Sequence, residues 1–123
     1  MAFAERRKYP RIDQAVPLKV ATAQGEFLVE TNNLSCGGVL CWFPESCQPM
    51  TKLDISLELP VPDPEHRRIH CLGVVIRQEH RAEQRKTTPY LTAIFFSEIS
   101  AVDRRRIAEF VLQSMLSHGS RYP

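Results

Sequence analysis

Hydrophobic and polar residues alternate along most of the first two thirds of the chain, and this period of two is typical of half-buried β-strands. The clearest case is residues 52–59, in which Leu53, Ile55, Leu57 and Leu59 fall on one face. Further apolar segments of strand length are separated by turn residues. The pattern predicts six strands, at about residues 16–21, 27–29, 39–43, 52–59, 69–76 and 90–96.

The segments between the strands carry breaks of different kinds. Gln24 and Gly25 predict a hairpin turn, and residues 31–38 form a polar stretch with two glycines that predicts a tight break. Three prolines in residues 60–64 end the fourth strand because proline donates no ladder hydrogen bond. Gly73 lies inside the fifth strand, where it predicts a bulge of the kind that helps a barrel to close.

The period changes near residue 100, where a helix is predicted to about residue 117. Ser100 followed by Asp103 is a variant of the capping box, with Asp in the usual Glu position. Ile107, Phe110, Val111 and Met115 then form one apolar stripe that would pack on the barrel. Arg104–Arg106 is a run of three cations, but consecutive helical residues point about 100° apart, so the run predicts solvated surface.

Positive charge is concentrated at the start of the chain. Residues 1–11 contain Arg6, Arg7, Lys8 and Arg11 against Glu5, a net charge of +3, whereas the whole chain carries +2 and the remainder therefore −1. This distribution favours a compact anionic partner over a long polyanion. We expect residues 1–11 to be a flexible basic arm, residues 12–118 to be one domain, and residues 119–123 to be a tail.

Other features of the sequence narrow the class of protein. No apolar run reaches the length of about 18 residues that crosses a bilayer, and the N-terminus lacks the pattern of a secretory signal, so we expect a cytoplasmic protein without membrane insertion. The four cysteines are irregularly spaced without a Cys-x-x-Cys pair, which favours reduced thiols over disulfides or a metal site. We expect no metal and no cofactor.

Two motifs carry residues suited to binding a guanine nucleotide. Arg7 and Arg11, four apart, can hold phosphate bidentately or give a fork to guanine O6 and N7. Asn33 and Ser35 supply short donors and acceptors for a base edge, and Gly38 permits close approach of the backbone. At these residues the sequence resembles the PilZ domain family of bacterial receptors for cyclic di-GMP, which carry an Arg-x-x-x-Arg arm and an Asp/Asn-x-Ser-x-x-Gly loop.

The resemblance covers about residues 5–117 and implies a six-stranded antiparallel barrel with a C-terminal helix. It implies that Arg7 and Arg11 grip phosphate and guanine, that Asn33 and Ser35 bind guanine edges, and that Gly38 shapes the turn. Arg6 would add a contact and is compatible with a stacked pair of ligands. The resemblance further implies that cyclic di-GMP orders the arm, which then makes or hides a surface for a protein partner.

Three other classes of function remain open at this point. A PilZ-like adaptor that binds no nucleotide would carry a damaged motif, and both motifs are intact. A small barrel for single-stranded nucleic acid would need a basic groove with interleaved aromatics, whereas Phe43, Phe95 and Phe96 are predicted to lie in the core. An enzyme is not expected, because Ser35 lacks a Gly-x-Ser-x-Gly elbow and the histidines have no evident nucleophile; His66 and His70 are predicted to share a strand face.

Overall fold

The computed structural model describes residues 9–117, and a closed barrel of six antiparallel strands forms the centre of this part of the chain. Around the barrel the strands follow the order β1-β2-β3-β6-β5-β4. This arrangement confirms the predicted fold class. The strands are β1 (Pro17–Thr22), β2 (Gly25–Ser35), β3 (Gly38–Phe43), β4 (Lys52–Glu58), β5 (Arg68–His80) and β6 (Tyr90–Glu98).

The barrel interior is filled by the alternate residues that the pattern assigned to one face. Leu53, Ile55, Leu57 and Leu59 are all at most 3% exposed. Full burial of one such side chain contributes about 1.5–3 kcal/mol, so the interior is the main source of stability. The same buried cluster takes residues from every strand and from the C-terminal helix.

The second strand is longer than the alternation predicted. β2 continues through Asn33 to Ser35, so residues 31–38 are not a break, and only Cys36 and Gly37 connect β2 to β3. The register between the two strands shifts between Thr31 and Asn33. Polar side chains on this part of β2 concealed the strand because they face an additional backbone segment and solvent rather than a second apolar layer.

The fifth and sixth strands form the longest seam in the barrel. The register shifts between Leu72 and Gly73, which confirms the predicted bulge. A Cβ at Gly73 would lie 2.7 Å from Ile55 Cδ1, so a side chain would collide with the packed interior. Phe95 is 50% exposed on the outer face, and its prediction as a core residue is wrong because alternation along β6 gives the interior to Ile94 and Phe96.

A helix closes the described part of the chain. This helix, α1 (Ala101–Ser117), begins with the Asp103 N–H donating to Ser100 Oγ at 3.0 Å, which confirms Ser100 as the cap. The Asp103 carboxylate instead pairs with Arg106. Ile107, Phe110 and Val111 are buried, but Met115 is 41% exposed and does not belong to the packed stripe. No helix among residues 9–117 is long and apolar enough to span a bilayer.

Several predictions fall on the ends of the chain or on the segment before β5. Residues 1–8 of the expected arm and the expected tail, residues 119–123, lie outside the described residues. His66 belongs to a short 3-10 helix (Pro64–His66) whose N-cap is Asp63, whereas His70 lies on β5. The prediction that His66 and His70 share a strand face is therefore wrong, because the proline-rich segment keeps the chain out of the sheet until Arg68.

Candidate ligand-binding site

The basic arm enters the fold beside the end of β2. Ile12 forms an isolated antiparallel bridge with Leu34, in which the Ile12 N–H donates to Leu34 O at 3.0 Å and the Leu34 N–H donates to Ile12 O at 2.9 Å. Ile12 also packs against the buried cluster. The backbone of residues 11–13 is thereby fixed along the part of β2 that carries Asn33 and Ser35.

This pairing brings the two predicted motifs together. Arg11 Nη1 donates a 2.8 Å hydrogen bond to Asn33 Oδ1, although 22 residues separate them in sequence. The Asn33 Nδ2 group donates to Asp13 Oδ1, also at 2.8 Å. Arg11 and Asp13 are exposed and Asn33 is half-buried, so this cluster faces solvent. The amide of Asn33 is consequently held with a defined orientation at the surface.

A buried threonine fixes the chain that follows the arm. Thr31 Oγ1 donates to Gln14 O at 2.6 Å and accepts from the Val16 N–H at 3.0 Å. The Thr31 N–H donates to Val16 O at 3.0 Å. Thr31 is 3% exposed, so these bonds are shielded from water and position residues 13–16 against β2. The sequence signal for this role was a threonine in a polar stretch, which does not distinguish it from a loop residue.

Ser35 faces the hairpin turn rather than solvent. Its Oγ accepts from the Gly37 N–H at 3.1 Å and donates to Gly38 O at 3.4 Å. The residue is only 1% exposed. The structure therefore brings Ser35 next to the Arg11–Asn33 pair in the fold but does not present its hydroxyl at the surface.

Gly38 is required by the barrel wall. It is the first residue of β3 and pairs with Phe95 of β6. A Cβ at Gly38 would lie 2.3 Å from Ile94 O, closer than any real contact. Gly38 is thus required at the β3–β6 seam, and it also closes the turn by pairing with Ser35, so its role in shaping the turn for a ligand stays a prediction.

The other candidate groups are two arginines of the arm and the four cysteines. Arg6 and Arg7 lie outside the described residues. All four cysteines are free. Burial raises the pKa of Cys41 and of Cys71 to about 12, so both remain thiols at neutral pH. Among residues 9–117 no cluster of His, Cys, Asp and Glu is arranged to hold a metal ion.

Two cavities of the described barrel lie away from the Arg11–Asn33 pair. An open cavity of about 550 Å³ is lined by residues that include His70, Glu98 and Arg104, near the start of α1. Its His70 Nε2 already lies 2.7 Å from Asp54 Oδ1. Arg11 and Asn33 line neither this cavity nor its neighbour of about 470 Å³. Among the described residues, the Arg11–Asn33 pair therefore lies on an exposed surface outside these two cavities.

Solved structures with the same fold cover nearly the whole chain. The inhibitor of motility from Bacillus subtilis (MotI/DgrA) is 24% identical, with a TM-score of 0.78 over 91% of this chain and 52% of that chain. The PilZ domain of YcgR from Escherichia coli, solved with c-di-GMP, is 17% identical, with a TM-score of 0.66 over 94% of this chain and 97% of its own. The MrkH–c-di-GMP complex of K. pneumonia is 19% identical, with a TM-score of 0.75 over 94% of this chain and 55% of that chain.

At these identities the likeness establishes the fold. The chain spans about half the length of the MotI/DgrA and MrkH chains. None of the curated proteins matches the sequence. The family model of the PilZ domain matches residues 5–113, which include the four cations of the basic arm, the whole barrel and most of α1. The chain therefore belongs to the PilZ domain family.

Proposed function

We propose that this protein is a receptor for cyclic di-GMP that binds its ligand on the outer surface bordered by the basic arm. The observation that carries the proposal is the 2.8 Å hydrogen bond between Arg11 Nη1 and Asn33 Oδ1, which unites the two motifs in one surface cluster. Two relatives that share the fold were solved with this ligand, the YcgR domain and MrkH. The same ligand class suits the residues of this chain.

The chemistry of the cluster matches a dianionic purine dinucleotide. A guanidinium forms charge-assisted, bidentate hydrogen bonds with phosphate and a two-point fork with guanine O6 and N7, so Arg7 and Arg11 are assigned to the ligand. The Asn33 amide offers one donor and one acceptor to a guanine edge. In the free protein Asp13 and Arg11 occupy these two groups, and the ligand would exchange with them. Arg6 is assigned as an additional contact, compatible with a stacked pair of ligands.

Ser35 and Gly38 take supporting positions in this proposal. The Ser35 hydroxyl bonds the turn, and a direct guanine contact would require it to leave the Gly37 N–H. Gly38 lets β3 approach β6 beside the site. Both residues therefore act on the ligand through the position of the turn, in contrast to Arg11 and Asn33, which act directly.

The proposed output is a change in the arm that a protein partner reads. Ordering a segment on binding costs about 2–5 kcal/mol of the gross interaction, which is consistent with micromolar affinity. We place the protein in the cytoplasm, because four free cysteines persist in a reducing compartment. We propose no catalysis, no cofactor, no nucleic-acid partner and no membrane insertion.

Isothermal titration calorimetry with cyclic di-GMP, and with cyclic di-AMP as the matched ligand, tests the proposal. The wild type should bind cyclic di-GMP with micromolar affinity and prefer it to the adenine analogue. Arg7→Ala, Arg11→Ala and Asn33→Ala should each weaken binding by at least about 1.5 kcal/mol, the low end for hydrogen bonds to charged groups. Arg105→Ala removes an equal charge from an exposed position of α1 and should bind like the wild type.

The outcomes separate the competing classes of function. A protein that gives no heat and no arm NMR shifts at hundreds of micromolar ligand would instead be an adaptor that binds no nucleotide. A protein that binds single-stranded RNA with a steep salt dependence would be a nucleic-acid binder, because each neutralised phosphate adds to the slope. Equal affinity in the wild type and the Arg11→Ala variant would remove the arm from the site.

A further inference from the structure

Tyr9 lies between the two motif arginines, Arg7 and Arg11, in the sequence, and its ring contacts the hairpin turn. A Cβ at Gly37 would lie 2.8 Å from Tyr9 Cδ2 and 3.0 Å from Tyr9 Cε2. The ring therefore rests directly on the backbone of the turn, at a position where only glycine leaves room for it. Tyr9 is half-buried, and it also packs against the buried cluster.

The other end of the Tyr9 side chain meets the first turn of α1. Arg104 Nη1 donates to Tyr9 Oη at 3.4 Å, across 95 residues of sequence. The Arg104 guanidinium carbon lies 5.9 Å from the centre of the Tyr9 ring, at the outer range of a cation–π contact. Arg104 and Arg106 are both half-buried, so the prediction that residues 104–106 are solvated surface is wrong for these two and holds only for Arg105.

Arg104 also acts on the turn itself. Burial raises the pKa of the Cys36 thiol, and the positive charge of Arg104 offsets part of that rise. Cys36 and Gly37 are the two residues that connect β2 to β3. The arm, the β2–β3 turn and the start of α1 therefore meet at one point. The Tyr9 ring of the arm lies between the turn and the helix.

The contacts of Tyr9 bear on the ligand site because Tyr9 lies inside the arginine motif of the arm. The sequence is Arg7-Lys8-Tyr9-Pro10-Arg11, so the anchored ring is two residues from each motif arginine. Pro10 restricts its own φ and favours an extended Tyr9, which limits the backbone on the C-terminal side of the ring. The arm thus has two fixed points, the Tyr9 ring and the Ile12 bridge to Leu34, on either side of Arg11.

We propose that Tyr9 is a positioning residue for the ligand site: its ring, seated on Gly37 and capped by Arg104, fixes residues 9–11 of the arm before ligand binds and connects them to α1. The binding part of this inference rests on the proposed cyclic di-GMP receptor function. A prearranged arm spares the ligand part of the cost of ordering it, which increases affinity without any contact between Tyr9 and the ligand. A ligand that moves the arm also changes the environment of Arg104.

The first experiment measures the anchor in the ligand-free protein by NMR. The Tyr9 ring current should change the chemical shift of a Gly37 Hα proton, because the Cδ2–Cε2 edge of the ring lies against Gly37, and Tyr9→Leu should remove this contribution. Tyr9→Phe should retain it, because the ring rather than the hydroxyl contacts Gly37. The control is Tyr90→Leu, since Tyr90 pairs with Phe43 at the end of β3 opposite Gly38. An unshifted Gly37 in the wild type would overturn the inference.

The second experiment measures cyclic di-GMP affinity in the same variants. Tyr9→Leu should weaken binding about tenfold, a loss appropriate to reordering a short segment. Gly37→Ala should weaken binding similarly by displacing the ring, although it alters no arm residue. Tyr9→Phe should bind within about twofold of the wild type, and Tyr90→Leu should bind unchanged.

The combined outcomes distinguish the inference from the function on which it rests. A wild type with the ring-current shift but without binding would overturn the receptor function and leave the anchor standing. A wild type that binds, with Tyr9→Leu binding equally well, would overturn the positioning role. In the wild type, ligand should shift the Arg104 Nε–H resonance, and in Tyr9→Leu this shift should be lost. An Arg104 resonance that does not change on addition of ligand to either protein would overturn the connection to α1.

Discussion

Asp13 is the residue of the surface cluster that no sequence motif identified. Its carboxylate accepts the Asn33 Nδ2 donor, which leaves Asn33 Oδ1 directed at Arg11. Hydrogen bonds and ion pairs this exposed contribute little to stability, with a typical range of about 0.2–1 kcal/mol. Their effect is instead to fix one orientation of an amide that would otherwise rotate. Asp13 also places a negative charge where a dianionic ligand is proposed to bind.

These two effects of Asp13 can be separated by the substitution Asp13→Asn. The new side chain keeps an oxygen acceptor for Asn33 Nδ2 and loses the negative charge. We expect cyclic di-GMP to bind about two- to fivefold more tightly at low salt, because a repulsive exposed charge is worth up to about 1 kcal/mol. The gain should shrink at high salt, since screening shortens the reach of exposed charges. Calorimetry at two ionic strengths measures both effects.

The matched control for this charge change is Glu26→Gln. Glu26 is exposed and lies at the start of β2, whereas Asn33 lies near its end. Loss of a carboxylate at that distance should leave the affinity nearly unchanged at either salt concentration. Weaker binding by Asp13→Asn would contradict the expectation and would mean that the carboxylate itself is needed to orient Asn33.

At the scale of elements, the seam between β3 and β6 determines where the turn and the arm can lie. The seam begins at the pair Gly38–Phe95, and the Phe96 N–H donates to Gly37 O at 3.0 Å. The turn residue is therefore bonded directly to β6. Any displacement of β3 from β6 would move the surface on which Tyr9 rests.

Two neighbouring glycines give a matched test of this element. Gly38→Ala should lower the free energy of unfolding by about 1–3 kcal/mol, because its Cβ would lie 2.3 Å from the Ile94 carbonyl oxygen, a backbone atom that cannot move alone. Gly37→Ala should cost much less stability, because its Cβ meets closely only the Tyr9 ring, a side chain that can move, and lies at an ordinary 3.8 Å from Ser35 Oγ. Urea unfolding followed by circular dichroism measures the difference, and equal losses in both variants would contradict it.

Helix α1 closes the described part of the chain and meets the turn on its first residues. Ser100 caps it, and Ile107, Phe110 and Val111 attach it to the buried cluster. The stripe stops there, since Leu112, Met115 and Leu116 are all exposed. Packing is therefore concentrated in the middle of the helix, and Arg104, which contacts Tyr9, lies one turn before Ile107.

At the scale of the whole molecule, alternation was sufficient to predict the six strands, the family resemblance implied the barrel, and neither predicted the site in detail. Leu53, Ile55 and Leu57 identify an inner face because one side of an antiparallel sheet is buried. Phe95 belongs to a continuous apolar run but faces outward. In such a run the sequence does not show which alternate residues face the interior. The Arg11–Asn33 pairing followed from family motifs, whereas Tyr9 and Asp13 act through long-range contacts that the sequence does not reveal.

The buried thiols are expected to lower the stability of the folded barrel at alkaline pH. Burial, with a smaller repulsive effect from Cys47, raises the pKa of Cys41 from 9.0 to about 12. Burial, with smaller effects from Asp103 and Asp54, raises the pKa of Cys71 to the same range. Between pH 9 and 12 the unfolded chain loses these protons while the folded protein keeps them, so stability is full below pH 9 and falls as pH rises through this window.

The size of this fall and its source can be measured by urea unfolding between pH 8 and about pH 11, with Cys41→Val as the comparison. Within the window each thiol should reduce the free energy of unfolding by about 1.4 kcal/mol per pH unit. Valine has no proton to lose, so the variant should lose stability less steeply than the wild type, by about that slope. Lysine, arginine and tyrosine side chains titrate alike in both proteins, so their contributions cancel in the difference between the two free energies of unfolding. Parallel curves would mean that the Cys41 thiol ionises in the folded barrel as easily as in the unfolded chain.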